Sequence, residues 1–214
     1  MQFHSTVFNM GEFNAEWDVP TIKNEPMFFN CDLEFAWING GPITRAFIDA
    51  LPTSWQHDRV VLDSRTHMLM KGWYPCIPGW HQDDVPRSTA NGQPNYATPE
   101  YHSTHILGLV NADVAPTEFA LGTINLDVPE EMIYKTWHPI VEDAVRTGGL
   151  KLKKAQSSIL YGFDCESFHQ GVRANKDGWR WFARVSQSTD RADKISNEIR
   201  NQVQVYMEFP MEGW

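Results

Sequence analysis

The sequence predicts an all-β chain with flanking helices, arranged as a double-sheet jelly roll. Short strand-like segments recur along most of the chain, turns rich in Pro, Gly and Asn separate them, and only two stretches carry good helical periodicity. Strands do not alternate regularly with helices, which argues against a parallel α/β sheet. The 214 residues suit one domain and suffice for a sizeable core. Residues 1–214 are therefore read as a single domain, with 1–55 as an N-terminal arm and helix.

The first thirty residues mix aromatics with Pro, Gly and Asn and read as an irregular or strand-bearing arm. "GGPITRAFIDALPTSW" is a helix: Pro42 suits the first turn, Ile43, Phe47, Ile48 and Leu51 share a face, and Pro52 ends it. "RVVLD" and "THMLMKGWYPCI" read as two strands, the second ending at Pro78-Gly79. "HQDDVPRSTANGQPNYATPEY" is a long loop of the kind that is usually functional or mobile, and its part from Asp84 to Tyr101 is expected to be mobile without substrate and to close over a site as a lid. "HSTHILGLV" and "EFALGTINL" are strands. "PEEMIYKTWHPIVEDAVRTG" is helical, with Pro139 expected to break or kink it. "SSILYGFD", "SFHQGVRA", "GWRWFARVSQST" and "NQVQVYMEF" return to strands, and Asn175 to Gly178, "NKDG", signals a hairpin between the second and third.

Composition narrows the function classes. A formal net charge of −9 makes the chain a poor partner for duplex nucleic acid or an anionic membrane. Lys151, Lys153 and Lys154 form the only short basic cluster. Nine tryptophans and twelve phenylalanines suggest a broad aromatic core, a wide pocket, or both. Cys31, Cys76 and Cys165 are an odd, widely spaced set without a CxxC. They fit a reducing, cytoplasmic setting better than a disulfide framework, and Cys76 and Cys165 are read as core. The N-terminus has no basic region followed by an apolar stretch, so no signal peptide is expected. No apolar run approaches the ~18 residues that span a membrane.

The chemistry concentrates at "WHQDD". On an extended chain residues i and i+2 point the same way, so His81 and Asp83 can chelate one divalent metal. Asp84 is the alternative carboxylate. His169, on a strand of the C-terminal third, is the best third ligand. Two histidines and one carboxylate leave coordination positions open, which suits Fe(II) and oxygen chemistry. In the expected hairpin His169 faces Arg184 or Ser186 according to the turn, and either register puts Arg180, Phe182, Arg184 and Ser186 on its side. An arginine with a hydroxyl neighbour is a good carboxylate receptor. His102 and His105, three apart on a strand, face opposite sides. A polar edge accounts for them, with one of the two inside the barrel as the alternative.

His81-Gln82-Asp83, then His169, then Arg184-Val185-Ser186 resembles the His-x-Asp…His…Arg-x-Ser pattern of the 2-oxoglutarate- and Fe(II)-dependent dioxygenases. The resemblance spans residues from about 60 to 208 and implies their double-stranded β-helix, a jelly roll. It implies that His81, Asp83 and His169 hold Fe(II), and that Arg184, helped by Ser186, holds the far carboxylate of the co-substrate 2-oxoglutarate. The interval from His169 to Arg184 is longer than is usual in that family. Arg180 suits the shorter interval but lacks a serine two residues on. The implied reaction uses O2, yields succinate and CO2, and hydroxylates or oxidatively demethylates a small molecule or a side chain. The alternatives are a cupin-like metalloenzyme of another reaction type, which usually offers more histidines, and a non-enzymatic jelly-roll binding module.

Overall fold

The computed structural model describes residues 1–55, 59–97 and 102–207. Its strands are β1 (Gln2–Ser5), β2 (Phe8–Glu12), β3 (Met27–Phe29), β4 (Val61–Leu69), β5 (Thr104–Val110), β6 (Thr117–Asn125), β7 (Lys151–Lys154), β8 (Ile159–Asp164), β9 (Phe168–Gly171), β10 (Gly178–Gln187) and β11 (Glu198–Arg200). Its α-helices are α1 (Val19–Asn24), α2 (Leu33–Asn39), α3 (Pro42–Asp49) and α4 (Ile133–Arg146). One antiparallel sheet runs β2-β8-β5-β10-β4. In the other, β1, β7 and β9 all pair with β6. A short β3–β11 ribbon lies beside β4, where Phe28 N donates to Ser64 Oγ. The fold is all-β with helical decoration, as expected.

Period-2 alternation decides what each strand contributes. Trp181, Ala183 and Val185 of β10 and Ile106 and Val110 of β5 pack against Phe47 and Ile48 of α3. The opposite faces of β5 and β8 meet Phe119 of β6 through Leu107, Leu109, Tyr161 and Phe163, so the two sheets pack face to face. On the far side α4 packs Tyr134, Trp137 and Val141 against Phe3, Ala120 and Phe168. Residues 1–12 are more than an arm: β1 pairs with β6 and β2 with β8, one in each sheet.

Several sequence expectations need correction. The two strands expected on either side of Ser64 and Arg65 are one, β4, and the chain then turns at Met70 to Trp73. Beyond the turn, residues 74–77 form no regular strand, although Tyr74 bridges Tyr206. β9 and β10 do not form a hairpin: β9 pairs with β6, and β10 with β4 and β5. "NKDG" is captured elsewhere, with Asn175 N donating to Val114 O and Lys71 N to Asp177 Oδ1. Residues 201–207 form no regular strand, and 208 and 209 of that expected strand lie outside the described residues. Helix α4 runs through Pro139 without a break. Lys135, whose carbonyl loses its donor there, is exposed, so water can satisfy it. Among the described residues no helix is long and apolar enough to cross a membrane.

Candidate metal centre

The backbone brings the two histidines together. His169 is held on one edge by Phe119 of β6. On its other edge it exchanges both backbone hydrogen bonds with His81, each at 3.0 Å. His81 follows Gly79, whose φ of +118° lets the chain turn tightly into the site. The segment is pinned from α4 and the adjoining loop: Trp80 Nε1 donates to Glu142 Oε2 at 2.6 Å and Tyr134 Oη to Gln82 O at 2.9 Å. Gln82 accepts from Tyr96 Oη and donates to Glu166 O, both at 2.6 Å. Asp83 follows, and one ligating atom from each of His81, Asp83 and His169 lies within 4.8 Å of the others. Asp84 stands outside that group and faces Arg191, at 3.5 Å.

These groups are prepared as metal ligands. His81 Nδ1 faces Gly79 O at 2.8 Å, and His169 Nδ1 faces Ser167 O at 3.0 Å. A carbonyl can only accept, so each Nδ1 carries a proton and His81 Nε2 keeps its lone pair, while His169 Nε2 makes a hydrogen bond to the Asp83 carboxylate that a bound metal would replace. The Nε2 atoms lie 3.9 Å (His81) and 3.0 Å (His169) from the Asp83 carboxylate. Burial, with His169 beside it, pushes the His81 pKa down to about 4, so the ring is neutral at pH 7. Burial works against an ionised Asp83, but Arg184, then His169, overcome it and hold the carboxyl well below its ordinary range. Two imidazoles and one carboxylate are a donor set that suits a divalent first-row metal.

The three groups line a cavity of about 970 Å³ between the sheets. Its floor is a ladder of cross-strand pairs: Asp63 opposite Arg184, Arg65 opposite Phe182, and His67 opposite Arg180. Five arginines line it, Arg65, Arg180, Arg184, Arg191 and Arg200, against two aspartates, Asp63 and Asp83. Residues 201–204 and Tyr206 form part of its wall.

Arg184 and Arg180 differ in what they face. Arg184 is bonded to Asp83 and lies 3.5 Å from Asp63 and 4.0 Å from Asp84. Burial opposes its charge, but Asp83, Asp84 and Asp63 outweigh burial and raise its pKa. Its two terminal nitrogens are thus engaged by carboxylates, although its Nε has no hydrogen-bond partner, and it holds Asp83 in place. Arg180 is 2% exposed, and its one described hydrogen bond runs from Nη2 to Thr117 Oγ1 at 3.4 Å. Its Nε has no partner and, among the described residues, no carboxylate lies within 4.0 Å of it. Burial depresses its pKa below the usual arginine value. Ser186 is fully buried and bonded to His105 Nδ1 at 2.8 Å, away from the cavity lining.

Of the expected site residues, His81, Asp83, His169, Arg180 and Arg184 share this cavity, while Ser186 reaches it only through packing. His105 points inward and His102 outward. Cys165 is buried, but Cys76 borders the cavity beside Arg180. The long loop is tied down where it is described: Asn91 donates to Glu130 O at 2.6 Å, and Tyr96 packs on Phe3 and Trp137. Residues 98–101 of the loop lie outside the described residues. Sequence reading missed Asp63, Arg65, His67 and Thr117. The alternation Asp63-x-Arg65-x-His67 was the available signal: three polar residues on one strand face read as a cavity wall when the other face is apolar or small.

No protein family matches the chain by sequence, and no curated protein does. Among solved structures, EvdO2 from Micromonospora carbonacea var. aurantiaca, complexed with 2-oxoglutarate, aligns over 77% of this chain and 64% of its own, at 12% identity and a TM-score of 0.41. EvdMO1 aligns over 86% of this chain and 47% of its own, at 10% identity and a TM-score of 0.44. The chain thus spans 64% and 47% of the length of these two proteins. Both likenesses are too distant to bear on function.

Proposed function

We propose that the chain is an Fe(II)- and 2-oxoglutarate-dependent oxygenase on a double-stranded β-helix, hydroxylating or oxidatively demethylating a substrate that enters the cavity. One observation carries the reading: two imidazole Nε2 atoms and an ionised carboxylate converge in the same cavity as a buried arginine that has no carboxylate partner among the described residues. The two facing antiparallel sheets support the jelly-roll expectation.

In this reading His81, Asp83 and His169 hold the iron, which when bound supplies activation of O2 coupled to decarboxylation of the co-substrate. Arg180 receives the far carboxylate of 2-oxoglutarate, with Thr117 Oγ1 beside it as a second donor. The charge of Arg180 is costly to bury alone, so a bound dianion offsets that cost. Arg184 is a positioning residue that keeps Asp83 ionised and aimed. This departs from the Arg-x-Ser pattern and agrees with the shorter interval from His169. The cupin-like alternative calls for more histidines, and among the described residues His67 and His105 stand outside the cluster.

The test is anaerobic addition of Fe(II) and 2-oxoglutarate. A chelated keto acid gives a weak visible charge-transfer band, expected in the wild type and lost in His169→Ala. Absence of the band with iron demonstrably bound would remove 2-oxoglutarate from the proposal.

A further inference from the structure

The cavity extends well past the metal cluster. At about 970 Å³ it sits at the upper end of small-molecule sites, leaving room beyond a five-carbon co-substrate. Its sign is opposite to that of the chain. The protein carries a net −9, yet arginines outnumber acids in the lining. Arg180 and Arg184 have been assigned above, and Arg191 is bonded to Asp63 at 2.5 Å and faces Asp84 at 3.5 Å. Arg65 and Arg200 remain.

Arg65 has no carboxylate within 4.0 Å among the described residues, and its described hydrogen bonds use Nη1 alone, to Phe28 O and Ser64 O, each at 2.7 Å. Among the described residues Arg200 pairs with one carboxylate, that of Glu198 at 3.2 Å, a half-exposed pair of little strength. Both guanidinium groups lie over the Phe29 ring, Arg200 at 3.5 Å from its centroid and Arg65 at 5.6 Å. The ring attracts each cation and fixes its plane. Burial lowers the Arg65 pKa, and Arg200, Arg184 and Arg191 push it further against the attraction of Asp63. Two oriented guanidinium groups that repel each other in one cavity form a receptor for an anion.

We propose that the prime substrate is an anion, a carboxylate or a phosphate ester, whose acidic group is received by Arg65 and Arg200 against Phe29. This rests on the oxygenase reading for the word substrate, but the receptor does not depend on it. A substrate held there at one end lies in the cavity that His81, Asp83 and His169 line.

The test uses the full chain carrying Arg180→Gln, so that the co-substrate anchor cannot take the probe. Hexanoate and inorganic phosphate are titrated by calorimetry, with hexanol as the uncharged control. Hexanoate or phosphate should bind, more weakly as salt rises, and the stronger of the two identifies the acid. Adding Arg65→Gln or Arg200→Gln should weaken binding tenfold or more, with Arg65→Lys recovering part of the loss and far-ultraviolet circular dichroism unchanged. Equal binding by all variants, or no anion binding above that of hexanol, overturns the proposal. The two readings fail separately. Arg65-dependent anion binding without a 2-oxoglutarate band in the wild type leaves the receptor and removes the oxygenase. A wild-type band with anion binding insensitive to Arg65 and Arg200 does the reverse.

Discussion

Arg180→Gln separates the two arginines that compete for the co-substrate. Arg180 is 2% exposed and has one described hydrogen bond, at 3.4 Å to a hydroxyl. In the proposed complex its counter-charge is the carboxylate of the ligand itself. Losing one partner of such a desolvated pair costs ~2–5 kcal/mol, which is about 30-fold to several thousand-fold in affinity. The assay is anaerobic titration of 2-oxoglutarate into Fe(II)-loaded protein, reading the charge-transfer band. Arg184→Gln is the comparison. It leaves Asp83 without its arginine, while Asp63 and Asp84 keep Arg191, so it should cost ~3–5 kcal/mol of stability and weaken iron binding, with a smaller effect on co-substrate affinity once iron is saturating. Arg180→Met, which fills the site without a charge, should leave the ligand-free protein as stable as the wild type or more so. A midpoint that stays within about twofold in Arg180→Gln and moves by orders of magnitude in Arg184→Gln would refute the reasoning and return the anchor to Arg184.

Mn(II), as an inert stand-in for Fe(II), should stabilise the wild type by ~2.7 kcal/mol at a hundred times its dissociation constant, and His81→Ala or His169→Ala should abolish that gain in a thermal melt without loss of fold. A gain that survives either change would place the metal elsewhere. His67 is buried and its pKa is held down to about 3, by burial first and then by Arg180 and Arg65. An unfolded histidine titrates near ~6.5, so between there and about 3 the unfolded chain binds the extra proton, and stability falls as pH falls through that window by up to ~1.4 kcal/mol per unit. His67→Leu should flatten the loss seen in urea midpoints on acidification, and an unchanged slope would show that His67 is protonated in the folded protein. At Gly108 in β5 an added Cβ would meet the Phe47 ring at 2.8 Å. Gly108→Ala should then cost ~1–3 kcal/mol by urea denaturation, and an unchanged midpoint would mean that α3 shifts freely.

The elements that sequence reading placed well are those whose evidence is local. Alternation marked β5, β6, β8 and β10, and Pro42 marked the first turn of α3, because a strand's two faces and a helix's first turn are written within a few residues. The spacing of His81 and Asp83 was legible for the same reason. Pairing was not. "NKDG" is good hairpin chemistry, yet a turn's preference is worth little against two strands that find better partners, and β9 is paired on both edges without β10. Residues 201–206 have the composition of a strand, but 201–204 and Tyr206 end as cavity wall, a tertiary outcome that no local pattern encodes.

Arg184 shows how a mistaken pairing can still lead to a correct neighbourhood. The hairpin count placed it one strand from His169. In fact β9 and β10 belong to different sheets, and Arg184 approaches from the facing one, bonded to Asp83. What survived was parity. Residues 180, 182 and 184 share a face whatever strand lies beside β10, and the other face is taken by Trp181, Ala183 and Val185, which must lie under the helices. Register chooses neighbours, but the apolar face chooses which side sees the site. That is also why Arg180 and Arg184 were inseparable by parity. They diverge only in their company: Arg184 meets three aspartates supplied by β4 and the loop after His81, whereas Arg180 meets His67, Thr117 and Cys76, none of which carries a negative charge in the buried state.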